Sequence, residues 1–71
     1  MKAKAILKKG DIRRYVYDLG RYWAVSTKPI KGKDATVFNP HIVSLYSKRH
    51  GFSSLQDVKE SLEDLGYHRV R

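Results

Sequence analysis

The chain has 71 residues, no cysteine, and a formal net charge of +8 from fifteen Lys/Arg against seven Asp/Glu. That length implies one domain, 1–71, with a modest core, and the missing cysteine excludes disulfides and thiolate metal sites. No apolar run approaches the length of a transmembrane helix or a signal-peptide core, so a cytoplasmic or nucleoid-associated, non-secreted protein is expected.

In chain order the sequence reads as three strands, a basic loop and two helices, an α+β domain. The first strand, about 2–9, alternates Lys-Ala-Lys-Ala before Ile6-Leu7. The second, about 12–19, contains Tyr15-Val16-Tyr17, and the third, about 21–28, contains Trp23 and Val25. β-Branched and aromatic residues in such density favour strands. Gly10-Asp11 and Leu19-Gly20 are short enough for tight hairpin turns, which predicts an antiparallel three-stranded meander. Residues 28–38 begin with Pro29 and Gly32 and read as a loop, with Ala35 to Phe38 as a candidate extra strand.

Asn39-Pro40 is a helix-start signal, an N-cap followed by proline at the first helical position. Ile42, Leu45, Tyr46 and Arg49 then share one helical face, predicting a helix over about 40–50 that stops at Gly51. A second helix is predicted over about 54–65. Its capping box is Ser53 with Gln56, or alternatively Ser54 with Asp57. Leu55, Val58, Leu62 and Leu65 form its apolar stripe, with acidic residues off it. Tyr67 to Arg71 is either a frayed tail or a short strand at the sheet edge. The two helices are expected to back the meander.

Two-residue turns would place Ala5 opposite Val16, Leu7 opposite Arg14, Val16 opposite Trp23 and Tyr17 opposite Tyr22. Opposed residues share a face of the sheet. One face then gathers Ala3, Ala5, Leu7, Ile12, Val16, Trp23 and Val25, with Arg14 snorkelling at its margin. The other gathers Lys4, Ile6, Lys8, Arg13, Tyr15, Tyr17, Tyr22 and Lys28, which is basic and aromatic together.

Charge is unevenly divided. Residues 1–50 carry twelve Lys/Arg against three Asp/Glu, a net +9, while residues 51–71 carry three against four, a net −1. A concentrated basic field attracts polyanions. Lysine and arginine neutralise phosphates, and tyrosine rings stack on bases or bond phosphate. The candidate nucleic-acid contacts are therefore Lys4, Lys8, Arg13, Tyr15, Tyr17, Arg21 and Tyr22 on the sheet, with Lys28, Lys31 and Lys33 in the loop. A solvated strand face stabilised by tyrosine pairs is the plainer reading of the same residues.

Other constellations are weaker. A helix-turn-helix over residues 40–65 would give an acidic recognition helix, with Asp57, Glu60, Glu63 and Asp64 against Lys59, which phosphate repels. His41, His50 and His68 include no i, i+4 pair, and no metal or other cofactor is expected. No glycine-rich phosphate loop and no triad spacing points to catalysis.

The order of three strands followed by a helix, over roughly residues 1–50, resembles the amino-terminal arm-binding domains of tyrosine recombinases. That resemblance implies a three-stranded sheet laid in the major groove of DNA. It rests on architecture, so no functional residue is carried over. The expected function is a non-enzymatic nucleic-acid binder, with duplex DNA favoured over RNA or single strands. The alternative is a small inhibitor or adaptor, of the kind phages and mobile elements carry, docking on an acidic protein partner. A homodimer is compatible with either reading; a membrane is not expected.

Overall fold

The computed structural model describes residues 2–31 and 39–70. Five strands form one antiparallel sheet: β1 (Ala5–Lys9), β2 (Ile12–Asp18), β3 (Tyr22–Ser26), β4 (Val43–Ser47) and β5 (His68–Arg69), in the order β4-β3-β2-β1-β5. Among the described residues a single helix, α1 (Leu55–Asp64), connects one edge strand to the other. The protein is thus a small α+β fold, but not the expected three strands backed by two helices.

The first correction is the helix over about 40–50. The Asn39-Pro40 signal produces one turn only. Asn39 Oδ1 accepts the His41 N–H at 3.0 Å, and the Asn39 carbonyl accepts the N–H groups of Ile42 and Val43 at 3.0 and 2.9 Å. The chain then extends into β4. Ile42, Val43 and Tyr46 favour strands, and Ser44 and Ser47 are indifferent helix formers. The decisive factor lies elsewhere in the chain. β3 presents an unpaired edge, and β4 fills it with Trp23 opposite Tyr46 and Val25 opposite Ser44. Without that helix, neither the likeness to the recombinase arm-binding domains nor a helix-turn-helix survives. The candidate strand at Ala35 to Phe38 lies outside the described residues.

The second correction concerns register. The β1–β2 hairpin turns at Gly10-Asp11, with Gly10 at φ 60° and Lys9 opposite Ile12. The β2–β3 connection is longer than the expected two residues. Val16 faces Val25 and Asp18 faces Trp23, because Asp18 Oδ1 takes the Gly20 N–H at 2.8 Å and the Leu19 N–H reaches the Tyr22 carbonyl at 2.9 Å. The slip is two residues. Side chains alternate with period two, so an even slip leaves each of them on its expected face.

Ala5, Leu7, Val16, Trp23 and Val25 accordingly form one core with Val58 and Leu62 of α1. The helix starts at Ser54, whose side chain and that of Asp57 complete a reciprocal capping box. Trp23 Nε1 donates to the Phe52 carbonyl at 2.9 Å, tying the approach to the helix to the sheet. At the other end Lys9 Nζ donates to the Leu65 carbonyl at 2.8 Å, supplying a cation at the helix C-terminus. Two expected core members lie elsewhere. Ile12, beside the turn, is 49% exposed, and Ala3 packs on the opposite side of the sheet.

That opposite side has a core of its own, made by Tyr17, Ala24, Ile30 and Val43. Ser26 is buried, and its hydroxyl both donates to the Lys28 carbonyl and accepts the Lys28 N–H, bending the chain back across the sheet. Ile30 is thereby seated on the sheet, and its N–H donates to the Tyr17 hydroxyl at 2.9 Å in a buried bond. Replacing Tyr17 by phenylalanine strands that buried N–H. The expected loss is about 1–3 kcal/mol in urea unfolding with little change in slope; an unchanged midpoint would show that the bond does not hold the segment.

Candidate nucleic-acid interface

The ten sequence-predicted contact residues separate into several places. Lys8 and Arg13 are cross-strand partners, and Lys8 also faces His68 of β5. Three basic-type residues therefore stand in one row across three strands. At about 4.8 Å per strand the row is about 10 Å wide. Arg13 and His68 are exposed and Lys8 is half-buried. Like charges directly opposed cost stability, and no ion pair relieves this row among the described residues. The next row holds Ile6 opposite Tyr15, both half-buried.

Tyr17 does not belong to this surface. It is 3% exposed, closed over by Ile30. The expected aromatic face is reduced there to Tyr15. Lys28 and Lys31 are exposed at the two ends of the covering segment, so that segment removes a tyrosine while adding cations. Lys4 is exposed just before β1. Lys33 lies outside the described residues.

Tyr22 and Arg21 sit at the far end of the sheet. Tyr22 pairs with Ser47 of β4, six register steps from Arg13, a distance of about 20 Å along the strands. Arg21 joins Lys48 and Arg49 around Gly20 in a shallow hollow of about 400 Å³. Lys48 is already engaged. Its Nζ lies 2.7 Å from Asp18 Oδ1 and 4.2 Å from the centre of the Trp23 ring. The basic charge thus has two centres: the open row at the β1–β2 end and a partly neutralised group at the other.

The acidic residues of α1 lie on the other side of the sheet from the Lys8 row. Val58 and Leu62 turn inward over the Leu7–Val16 core, while Glu60, Glu63 and Asp64 are exposed. The antiparallel alternation that buries Leu7 points Lys8 to the opposite face. The short edge strand was one of the two readings of residues 67–71, but sequence reasoning missed His68 as a contact, because two residues do not reveal which strand they pair with or in what register. It also missed Lys48 and Arg49, assigned to a helix that does not form. Their basic character was the available signal; their placement was not.

Comparison with protein families, with curated proteins and with solved structures returns no match. Among the described residues no helix is long and apolar enough to cross a membrane.

The hydrogen bond from Lys48, followed by that from the Gly20 N–H, holds the Asp18 carboxyl below its ordinary value of 3.8. A carboxyl depressed in the folded state adds stability above its unfolded pKa and loses it as pH falls through the folded one. Asp18→Asn keeps an amide oxygen for the Gly20 turn but loses the ion pair. The variant should be less stable than the parent at neutral pH, with the gap closing as pH falls below 3.8. Thermal unfolding across pH measures this, and a pH-independent gap would exclude the carboxylate charge as its source.

Proposed function

We propose that the protein is a non-enzymatic nucleic-acid-binding module that contacts duplex DNA through the Lys8–Arg13–His68 row, flanked by Lys4, Lys28 and Lys31. The observation that carries this reading is the row itself. It opposes basic residues across three strands without an acidic partner among the described residues, while the acidic helix occupies the other side of the sheet. A bound polyanion would turn the mutual repulsion into attraction and release counterions from the phosphates.

Duplex is favoured over single strands for a specific reason. Base stacking needs exposed rings, and Tyr17 is buried while Tyr15 is half-buried. What is left is a surface suited to phosphate contacts. Its row is about 10 Å wide, comparable to the ~12 Å major groove. Contacts of this type position a protein on DNA with little dependence on base sequence.

With about five or six phosphates engaged, log affinity for duplex DNA should fall with log salt at a slope of about −5. Replacing Lys8, Arg13 and Lys31 together by glutamate should weaken binding and make the slope shallower by about 3. A salt titration by fluorescence anisotropy measures both quantities. Affinity that is flat with salt, or unaltered by the triple change, would overturn the reading and favour a protein partner.

A further inference from the structure

The side of the sheet that carries α1 is incompletely covered, and the gap forms a cleft of about 300 Å³. Arg14, Thr27 and Ser44 line its floor, Leu62 and Tyr67 form one wall, and the turn at 40–42 forms the other. Arg14 is half-buried. Its guanidinium lies over the Tyr67 ring, 5.5 Å from the centroid, and donates to the Arg13 carbonyl at 3.1 Å. A guanidinium has five N–H donors, and the others find no acceptor among the described residues. Among the described residues no aspartate or glutamate lines the cleft.

Those donors of Arg14 are open to the cleft, since among the described residues no buried side-chain nitrogen lacks a partner, and a guanidinium facing a concave surface is a natural partner for an anion. The Tyr67 ring and the Arg13 carbonyl both contact the guanidinium, whose planar fork matches a carboxylate or phosphate. Thr27, Ser44 and Tyr46, which carry hydroxyls, also line the cleft, together with the apolar Leu62 and Val25. The volume lies at the small end of the ~300–1,000 Å³ range of ligand pockets, which suits a compact molecule and not a polymer.

We propose that this cleft binds a small molecule carrying a terminal phosphate or carboxylate on a compact planar or aliphatic body, with Arg14 as the anion clamp. The site faces away from the Lys8 row, so it does not depend on the DNA-binding reading.

The test is a titration of the full chain followed by ¹⁵N NMR, using matched probes: adenosine monophosphate against adenosine, and benzoate against benzamide. The anionic member of at least one pair should give saturable shifts at Arg14 Nε–H and at the Ser44 and Tyr67 amides. Its neutral counterpart should bind about tenfold more weakly or less. Response to the phosphate alone or to the carboxylate alone supports the proposal and identifies the source. Arg14→Gln should lose about tenfold, with Arg14→Lys intermediate because it keeps charge without the fork. Should Arg14→Gln fail to fold, the paired-probe comparison on the unaltered protein decides alone. Replacing Lys8, Arg13 and Lys31 by glutamate should leave cleft binding unchanged, which separates this proposal from the DNA reading. No shifts, equal response to the neutral probes, or shifts confined to the Lys8 row or the Lys48 group would overturn it.

Discussion

One short helix has to cover a sheet wider than itself, and the surface chemistry of the molecule follows from that mismatch. Five strands span about 19 Å between the edge axes, whereas ten helical residues are about 15 Å long and one helix broad. α1 packs its Val58 and Leu62 over the Leu7–Val16 centre and leans towards β1 and β5. On that side the part of the sheet near β4 stays open. On the reverse side the cover is the 28–31 segment, which seats Ile30 against Tyr17, Ala24 and Val43. There the part near β5 stays open. The two covers are offset diagonally, and so are the two exposed areas: the Arg14 cleft on one side and the Lys8–Arg13–His68 row on the other.

Each cover is fastened by polar bonds whose loss would expose apolar surface. The helix is held at its start by the Trp23 bond to Phe52 and at its end by the Lys9 bond to Leu65. Lys9 has a further contact. A β-carbon added at Gly66 would stand 3.2 Å from its Cε, and Gly66 itself turns with φ 97°. Close approach of the lysine stem and a backbone conformation that L side chains rarely adopt both favour glycine there. The turn leads into Tyr67, which packs beside the core and carries the Arg14 guanidinium on its ring. The same few residues that end the helix therefore also build one wall of the cleft and start the strand that brings His68 to the basic row.

Much of the first half of the fold was legible because local alternation and turn chemistry agree there. Even the misjudged β2–β3 turn left the inward and outward sets intact, since the slip was even. The second half was less legible. Ile42, Leu45, Tyr46 and Arg49 satisfy a helical spacing, and Asn39-Pro40 does start a helical turn. Over so few residues the two periods are hard to separate, and the open edge of β3, remote in sequence, decides the outcome. The candidate site followed the same division. That Lys8 and Arg13 share a face could be read from the Gly10-Asp11 hairpin. The burial of Tyr17 could not, because it depends on Ser26 folding a later segment back over the sheet.

That burial alters the chemistry more than the loss of one ring suggests. Tyr17 exposed would have offered a stacking platform amid lysines, equally suited to single strands, loops and duplexes. With its hydroxyl committed to the Ile30 N–H, the open part of the face is left with cations, Ile6 and a half-buried Tyr15. Charge then outweighs shape in what the surface can recognise, and charge is long-ranged and tolerant of sequence. The exposed carboxylates of α1, Glu60, Glu63 and Asp64, stand on the opposite side, so none of them neutralises the Lys8–Arg13 pair.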